Sequence, residues 1–231
     1  MSAVSAVLAD FQFQTHSFLL SRGCPRLLGV CICSSARTAP RGAGKLSMEV
    51  NMDPFATLRH EHDVILLVAK AAAREAQKLR AGNPMNAERV GQILDFIRTF
   101  ADACHHGKEE DLLFVRLETK GFSRGMGPVA VMLFEHEQGR RFVQQASAKL
   151  QAASQGDTGA CAQVAEGLAG WAELIEQHID KENNVLFPMA QSVLSEGETQ
   201  ELAESFAKVE AERFAEVHER YHQLAHQLAE S

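Results

Sequence analysis

The sequence predicts an all-α protein: an up-down-up-down four-helix bundle with an additional C-terminal helix. Three observations carry that prediction. Apolar residues recur at alternating spacings of three and four along successive segments that Gly, Pro, Asn and Ser clusters separate. β-Branched runs of period two and hairpin dipeptides are missing. The pattern HxxKExxxLF also occurs twice in one helical register, from His105 to Phe114 and from His178 to Phe187.

Each element follows from local signals. Asp53 and Pro54 form an N-cap and first-turn pair. Leu58, His62, Ile65, Ala69, Ala72, Ala76 and Leu79 then line one stripe, and Gly82-Asn83-Pro84 stops the helix near Ala81. A second helix runs from about Ala87 to Leu117, with Val90, Leu94, Ile97, Ala101, His105, Lys108 or Glu109, and Leu112 along its stripe. Three glycines between Gly121 and Gly127 break it. The third helix starts at Pro128 and reaches about Ala152. A polar stretch separates it from the fourth, about Ala160 to Val193. After Ser195-Glu196-Gly197 a fifth, polar-faced helix extends to about Ala229. Four long helices with short connections read as a bundle over residues 53–195, and the fifth, residues 196–231, packs on it.

The chain has 231 residues and a formal charge of −7. Residues 1–46 hold one acid, Asp10, against five bases, Arg22, Arg26, Arg37, Arg41 and Lys45, a net +4 that leaves −11 for the remainder. The acidic remainder excludes nucleic acid as the main partner, because phosphate neutralisation needs a basic stripe. No apolar run approaches the roughly 20 residues that span a bilayer. The N-terminal extension of about residues 1–50 also carries Cys24, Cys31 and Cys33 and no sustained period. A poorly ordered or targeting segment, or translated sequence ahead of a start at Met48 or Met52, accounts for it better than a metal or redox element on Cys31 and Cys33. The expected location is cytoplasmic, with organelle targeting by residues 1–47 left open.

The chemistry emerges when the helices are compared. A His and a Glu four residues apart lie on one helical face, so His105 with Glu109, and His178 with Glu182, can each aim an imidazole and a carboxylate at one point. His62 lies in line with Leu58, Ile65 and Ala69, and His136 in line with Val129, Met132, Val143 and Leu150. A bundle therefore brings four imidazoles and two carboxylates together in its core. Buried unpaired, such groups are costly, whereas a metal neutralises the carboxylates and uses the imidazole lone pairs. The mixed nitrogen and oxygen donor set suits iron, and bundles build two-metal sites from facing helices in this way.

Glu61-His62, His105-His106-Gly107-Lys108-Glu109 with Leu113-Phe114, Gly127-Pro128 with Val131-Met132 and Glu135-His136-Glu137, and His178 to Pro188 together resemble the hemerythrin-like (HHE cation-binding) family over Phe55 to Met189. The resemblance implies a bundle around a non-haem di-iron site bridged by carboxylates and an oxo or hydroxo group. It implies His62, His105, His136 and His178 as terminal ligands and Glu109 and Glu182 as bridges. Oxygen-carrying members place a second histidine four residues along the third helix; here that position is Arg140. The pattern instead resembles the His4Glu2 branch, similar to repair-of-iron-centres proteins, although the cysteine-containing N-terminal domain of that group is not recognisable in residues 1–50. The expected partner is a small diatomic ligand, dioxygen or nitric oxide, or peroxide, in sensing, stress protection or iron handling. The alternatives are turnover of peroxide or nitric oxide, iron-sulfur cluster repair, and an iron-responsive protein-interaction module.

Neighbouring residues have plainer readings. On an ideal α-helix His106 turns about 100° from His105 and continues the row of Asp95, Thr99 and Asp102, so it belongs beside the ligands or at the surface. His60 fits the ligand stripe less well than His62. Glu110 and Glu137 read as solvated, and Cys104 as a small core residue. His218, His222 and His226 read as a solvated face, opposite Phe214, Val217, Tyr221, Leu224 and Leu228. Trp171, Phe114 and Phe187 read as core.

Overall fold

A computed structural model describes residues 53–230. The N-terminal extension with Cys24, Cys31 and Cys33, and the readings placed on it, lie outside the described residues.

Five long helices account for the described chain. Helix α1 is Pro54–Arg80, with Asp53 accepting the Phe55 N–H as N-cap and Pro54 in the first turn. Helix α2 covers residues 87–119 and α3 is Gly127–Ser154. Helix α4 covers residues 158–193 and α5 residues 196–230. Each start has a local cause: Asn86 caps α2 through the Arg89 N–H, Asp157 caps α4 through Ala160, and Ser195 with Glu198 forms a capping box on α5. Gly82, at φ 80°, ends α1 in a left-handed turn that lets the Asn83 N–H reach the Lys78 carbonyl.

Side-chain pairs fix the topology. Glu75 of α1 meets Arg89 at the start of α2, while His62 meets His105 further along, so the two run antiparallel. Arg98 with Ser147 and Asp102 with Arg140 set α3 antiparallel to α2. Gln145 with the Gln163 carbonyl, and His136 with His178, do the same for α4. Helix α5 lies along α1 and α2: His218 reaches Glu61, Tyr221 Oη donates to Asp95, and Arg74 and Arg89 cap the end of α5 at the Leu228 carbonyl.

The bundle is layered. A large apolar cluster includes Ile65, Val68, Ile93, Phe96, Phe100, Val164 and Leu168, and a smaller one includes Phe55, Leu58, Leu113, Phe114, Met132, Leu186 and Phe187. Between them lies a stratum of buried polar residues: Glu61, His62, His105, His106, Glu109, His136, His178 and Glu182. Helices α2, α4 and α5 widen into π-helical turns at Ile97–His106 and Glu109–Leu113, at Glu182–Leu186 and at Glu210–Phe214. In α2 and α4 these turns coincide with the polar layer, where such insertions commonly mark function. Among the described residues no helix is long and apolar enough to cross a membrane.

Candidate metal centre

The six residues singled out in the sequence, His62, His105, Glu109, His136, His178 and Glu182, all meet in the polar layer. Donor atoms from His62, His105, Glu109 and Glu182 lie within 4.8 Å of one another, and a second set from His106, Glu109, His136 and His178 does likewise.

The two sets are built by the same rules from two halves of the bundle. His105 Nδ1 pairs with Glu61 at 2.8 Å, and Lys108 also bonds Glu61. In the other half His178 Nδ1 pairs with Glu135 at 3.0 Å, and Lys181 bonds Glu135. His62 Nδ1 pairs with Asn183 Oδ1 at 3.0 Å and His136 Nδ1 with Glu110 Oε1 at 2.7 Å. Phe187 stacks on His62 with ring centroids 5.5 Å apart, and Phe114 stacks on His136 at 6.0 Å. The repeated motif is thereby explained position by position. Its Lys steadies a carboxylate on the preceding helix, its Glu enters the centre, and its Phe shields a histidine ring.

Those outer partners decide the tautomers. Each Nδ1 faces a carboxylate or carboxamide oxygen, which only accepts, so Nδ1 carries the proton and Nε2 presents a lone pair. His62 Nε2 lies 3.0 Å from His105 Nε2, and His136 Nε2 lies 3.1 Å from His178 Nε2. With the rings neutral, the facing lone pairs cannot bond each other, and a cation shared between them, a metal or for His178 a proton, resolves the contact.

The carboxylates complete the picture. Glu109 and Glu182 are fully buried, and none of their four oxygens makes a hydrogen bond of acceptable geometry. Each instead spans both halves. Glu109 Oε1 is 3.7 Å from His105 Nε2 and its Oε2 is 3.6 Å from His136 Nε2. Glu182 Oε2 is 3.1 Å from His62 Nε2 and its Oε1 is 3.3 Å from His178 Nε2. A buried carboxylate without donors is expensive. Two imidazoles and a carboxylate oxygen from each of Glu109 and Glu182 on either side make a donor set that fits metal cations.

Without cations these groups can only divide protons among themselves. Burial and the adjacent Glu182 push the Glu109 carboxyl well up. Burial also raises Glu182, but the charge of His178 beside it and then the nearby His62 ring bring it well below the usual range. Burial lowers His105 to about 3, Glu61 acting against it, and it takes His136 well below the usual imidazole range. His178 moves the other way: Glu182 and Glu135 overcome burial and raise it to about 9.

Several neighbours refine the sequence expectation or depart from it. His106 takes the buried one of its two expected places, because the π-helical turn spreads residues around a wider circle than an α-helix, so His105 and His106 both face inward. Glu110 is not a solvated residue but the Nδ1 partner of His136, and Arg140 binds it as well. His218 and His222 are half-buried against Phe100 rather than on a solvated face, and His222 packs near His60. His60 itself is exposed, and so is His226. Sequence reasoning gave no role to Glu61, Glu135, Asn183 or Asp102. A signal existed: Glu61 and Glu135 each directly precede a candidate ligand, and Asn183 follows one.

A family model for the hemerythrin HHE cation binding domain matches residues 53–190. The chain is also 26% identical over 205 residues to uncharacterized protein Rv1995 of Mycobacterium tuberculosis, with 87% of this chain and 79% of that protein covered. Uncharacterized protein Mb2018 of Mycobacterium bovis matches with the same identity and coverage. No solved structure matches the chain. With its buried His and Glu layer inside an antiparallel bundle, this chain belongs to the hemerythrin HHE cation-binding domain family.

Proposed function

We propose that the chain holds two iron ions and uses them to bind or reduce a small ligand: dioxygen, nitric oxide or peroxide. His62 and His105 serve one iron, His136 and His178 the other, and Glu109 and Glu182 bridge them. One observation carries this reading: four buried carboxylate oxygens without hydrogen bonds, each aimed at an imidazole lone pair. When bound, a pair of ferrous ions supplies reducing electrons and an open coordination position.

The protein's own residues govern access and polarity. A cleft of about 280 Å³ reaches His106, His136 and His178 between Val143, Trp171 and Ile175. Arg98, Asp102, Glu135 and Arg140 line it as well, and its size suits a small ligand. Glu61, Glu110, Glu135 and Asn183 hold the imidazole protons on Nδ1 and so keep every Nε2 basic. Phe114 and Phe187 cover the layer from the other side and keep water out.

The test is iron content and near-ultraviolet absorption of the full chain from iron-supplemented cells, beside a His105→Ala/Glu182→Ala variant. Two irons per chain, with charge-transfer bands that the variant loses, support the reading. The reduced protein is then mixed with dioxygen, nitric oxide or peroxide, and the bands should change with at least one of them. A chain that takes up no iron, or a variant that binds metal as well as the wild type, overturns it.

A further inference from the structure

Helix α5 lies beyond residues 53–190, the part of the chain that the family model matches, and it brings Glu210 and His218 to the edge of the polar layer. Residues eight apart on an unbroken α-helix diverge by about 80°. The π-helical turn at Glu210–Phe214 lies between these two and takes up that difference, so His218 Nε2 stands 3.5 Å from Glu210 Oε1.

What they meet there is Glu61, whose two oxygens are held from different sides. Oε2 accepts the His105 Nδ1 proton at 2.8 Å. Oε1 accepts from His218 Nε2 at 3.0 Å and from Lys108, whose ammonium also bonds Glu210 at 2.6 Å. A carboxylate gripped by one oxygen still pivots about that bond; gripped by both, its plane is set, and the His105 ring is set with it. Lys108 is a charge on a flexible stem and fixes distance better than direction. The His218 ring is confined between Phe100, at 5.3 Å, and His222, at 5.5 Å, and so fixes direction. In the other half, among the described residues, Glu135 Oε1 is bonded by Lys181 alone.

We propose that His218 is a positioning residue of the metal centre: from the C-terminal helix it fixes Glu61, and through Glu61 it holds the His105 ring in the orientation that aims Nε2 at a metal. This rests on the metal reading above. It makes α5 a working part of the site and not only a cover over it.

The experiment uses the full chain, stripped of metal and titrated anaerobically with ferrous iron alone, for the wild type, His218→Leu, His218→Gln and Tyr221→Phe. Leucine removes the donor to Glu61, whereas glutamine keeps an N–H for it. Tyr221→Phe is the control for docking of α5, because the Tyr221 hydroxyl ties that helix to Asp95 without touching Glu61. Circular dichroism follows helix content, and urea unfolding of the metal-free chains ranks their stability. His218→Leu should bind iron about 10- to 100-fold more weakly, the range for residues that support ligands. His218→Gln should recover most of that loss, and Tyr221→Phe should titrate like the wild type even where it unfolds at lower urea. Iron bound by His218→Leu as tightly as by the wild type overturns the role of His218 and leaves the metal reading intact. So does a glutamine variant no better than leucine, or a Tyr221→Phe chain weakened as much as His218→Leu. A wild type that takes up no iron overturns both.

Discussion

Glu61 and Glu135 are counterparts: each sits one residue before a histidine of its own helix yet accepts the Nδ1 proton of the histidine on the next, His105 and His178 respectively. Their surroundings differ in one respect. Helix α5 covers the Glu61 side, where Lys108 is fully buried between Glu61 and Glu210, whereas Lys181 beside Glu135 is 38% exposed. One half of the polar layer is sealed and the other borders the cleft.

That difference sets a stability prediction. Glu61→Ala strands a buried ammonium with Glu210 as its remaining carboxylate and costs about 3–5 kcal/mol. Glu135→Ala frees a lysine that water already reaches, and costs at most about 2 kcal/mol. Adding Lys108→Met to Glu61→Ala removes the stranded charge and recovers much of the loss. Urea unfolding of the metal-free chain gives all three values. Equal costs for the two glutamates would show that α5 does not seal its side.

Arg140 gives a second prediction. It bonds Asp102 at 2.7 Å and Glu110 at 2.7 Å, the oxygens that hold Nδ1 of His106 and of His136. Being partly exposed, it contributes little to folding. Its effect falls on metal instead. Arg140→Ala weakens the metal site beside the cleft about 10- to 100-fold, as loss of ligand support does, and leaves the helix content and the His62–His105 side unchanged. Ferrous titration with circular dichroism checks both. An unchanged titration would mean that Arg140 only neutralises Asp102 and Glu110 and does not hold the histidines in place.

Much of this was legible in the sequence, for definite physical reasons. Long stripes of period 3.6 gave the helices to within a few residues, because caps such as Asp53 and the glycines after Lys120 act locally. His62, His105, Glu109, His136, His178 and Glu182 converge because an (i, i+4) pair on a buried stripe has nowhere else to point. Of the two places open to His106, the structure takes the one beside the ligands, a choice that depends on a π-helical turn which no residue in Ile97–His106 announces. The inward side of His218 was hidden for another reason. Its partner Glu61 lies 157 residues away, and the pairing exists only once α5 has chosen α1 and α2 as neighbours.

Helix α4 approaches α3 through glycine. A methyl group at Gly167 would lie 2.7 Å from the Phe142 carbonyl oxygen and 2.9 Å from the Ala146 Cβ, backbone and stub that cannot swing away. Gly167→Ala therefore pushes the helices apart and costs about 1–3 kcal/mol as overpacking, or a fall of roughly 5 °C in Tm for a chain of this size. Gly170→Ala meets the Phe142 ring, a side chain able to turn, and costs less. Calorimetry of the two variants decides; a Gly167→Ala chain as stable as the wild type would refute the close packing.

The docking of α5 should depend on pH through His218. The Cys104 sulfur beside it, then Glu210 and Glu61, raise it from 6.5 to about 11. Lys108 and His222 face the same group, from α2 and from α5 itself. Because the folded value lies above the unfolded one, the stabilisation is complete below about pH 6.5, declines as pH rises, and is gone above about 11. Glu61 and Glu210 are held low and stay charged throughout that window, and Lys108 is raised further, so none of them changes charge between pH 7 and 10. His178 does titrate there in the metal-free chain, but equally in a His218→Gln variant, so the difference between the two proteins isolates His218. Solvent reaches this site, which limits the effect to about 1 kcal/mol, a difference of about 2–4 °C in Tm. The wild type should exceed His218→Gln by that margin at pH 6.5 and lose the advantage progressively toward pH 10. A constant gap across the range would mean that His218 packs as a neutral ring and that charge plays no part in holding α5.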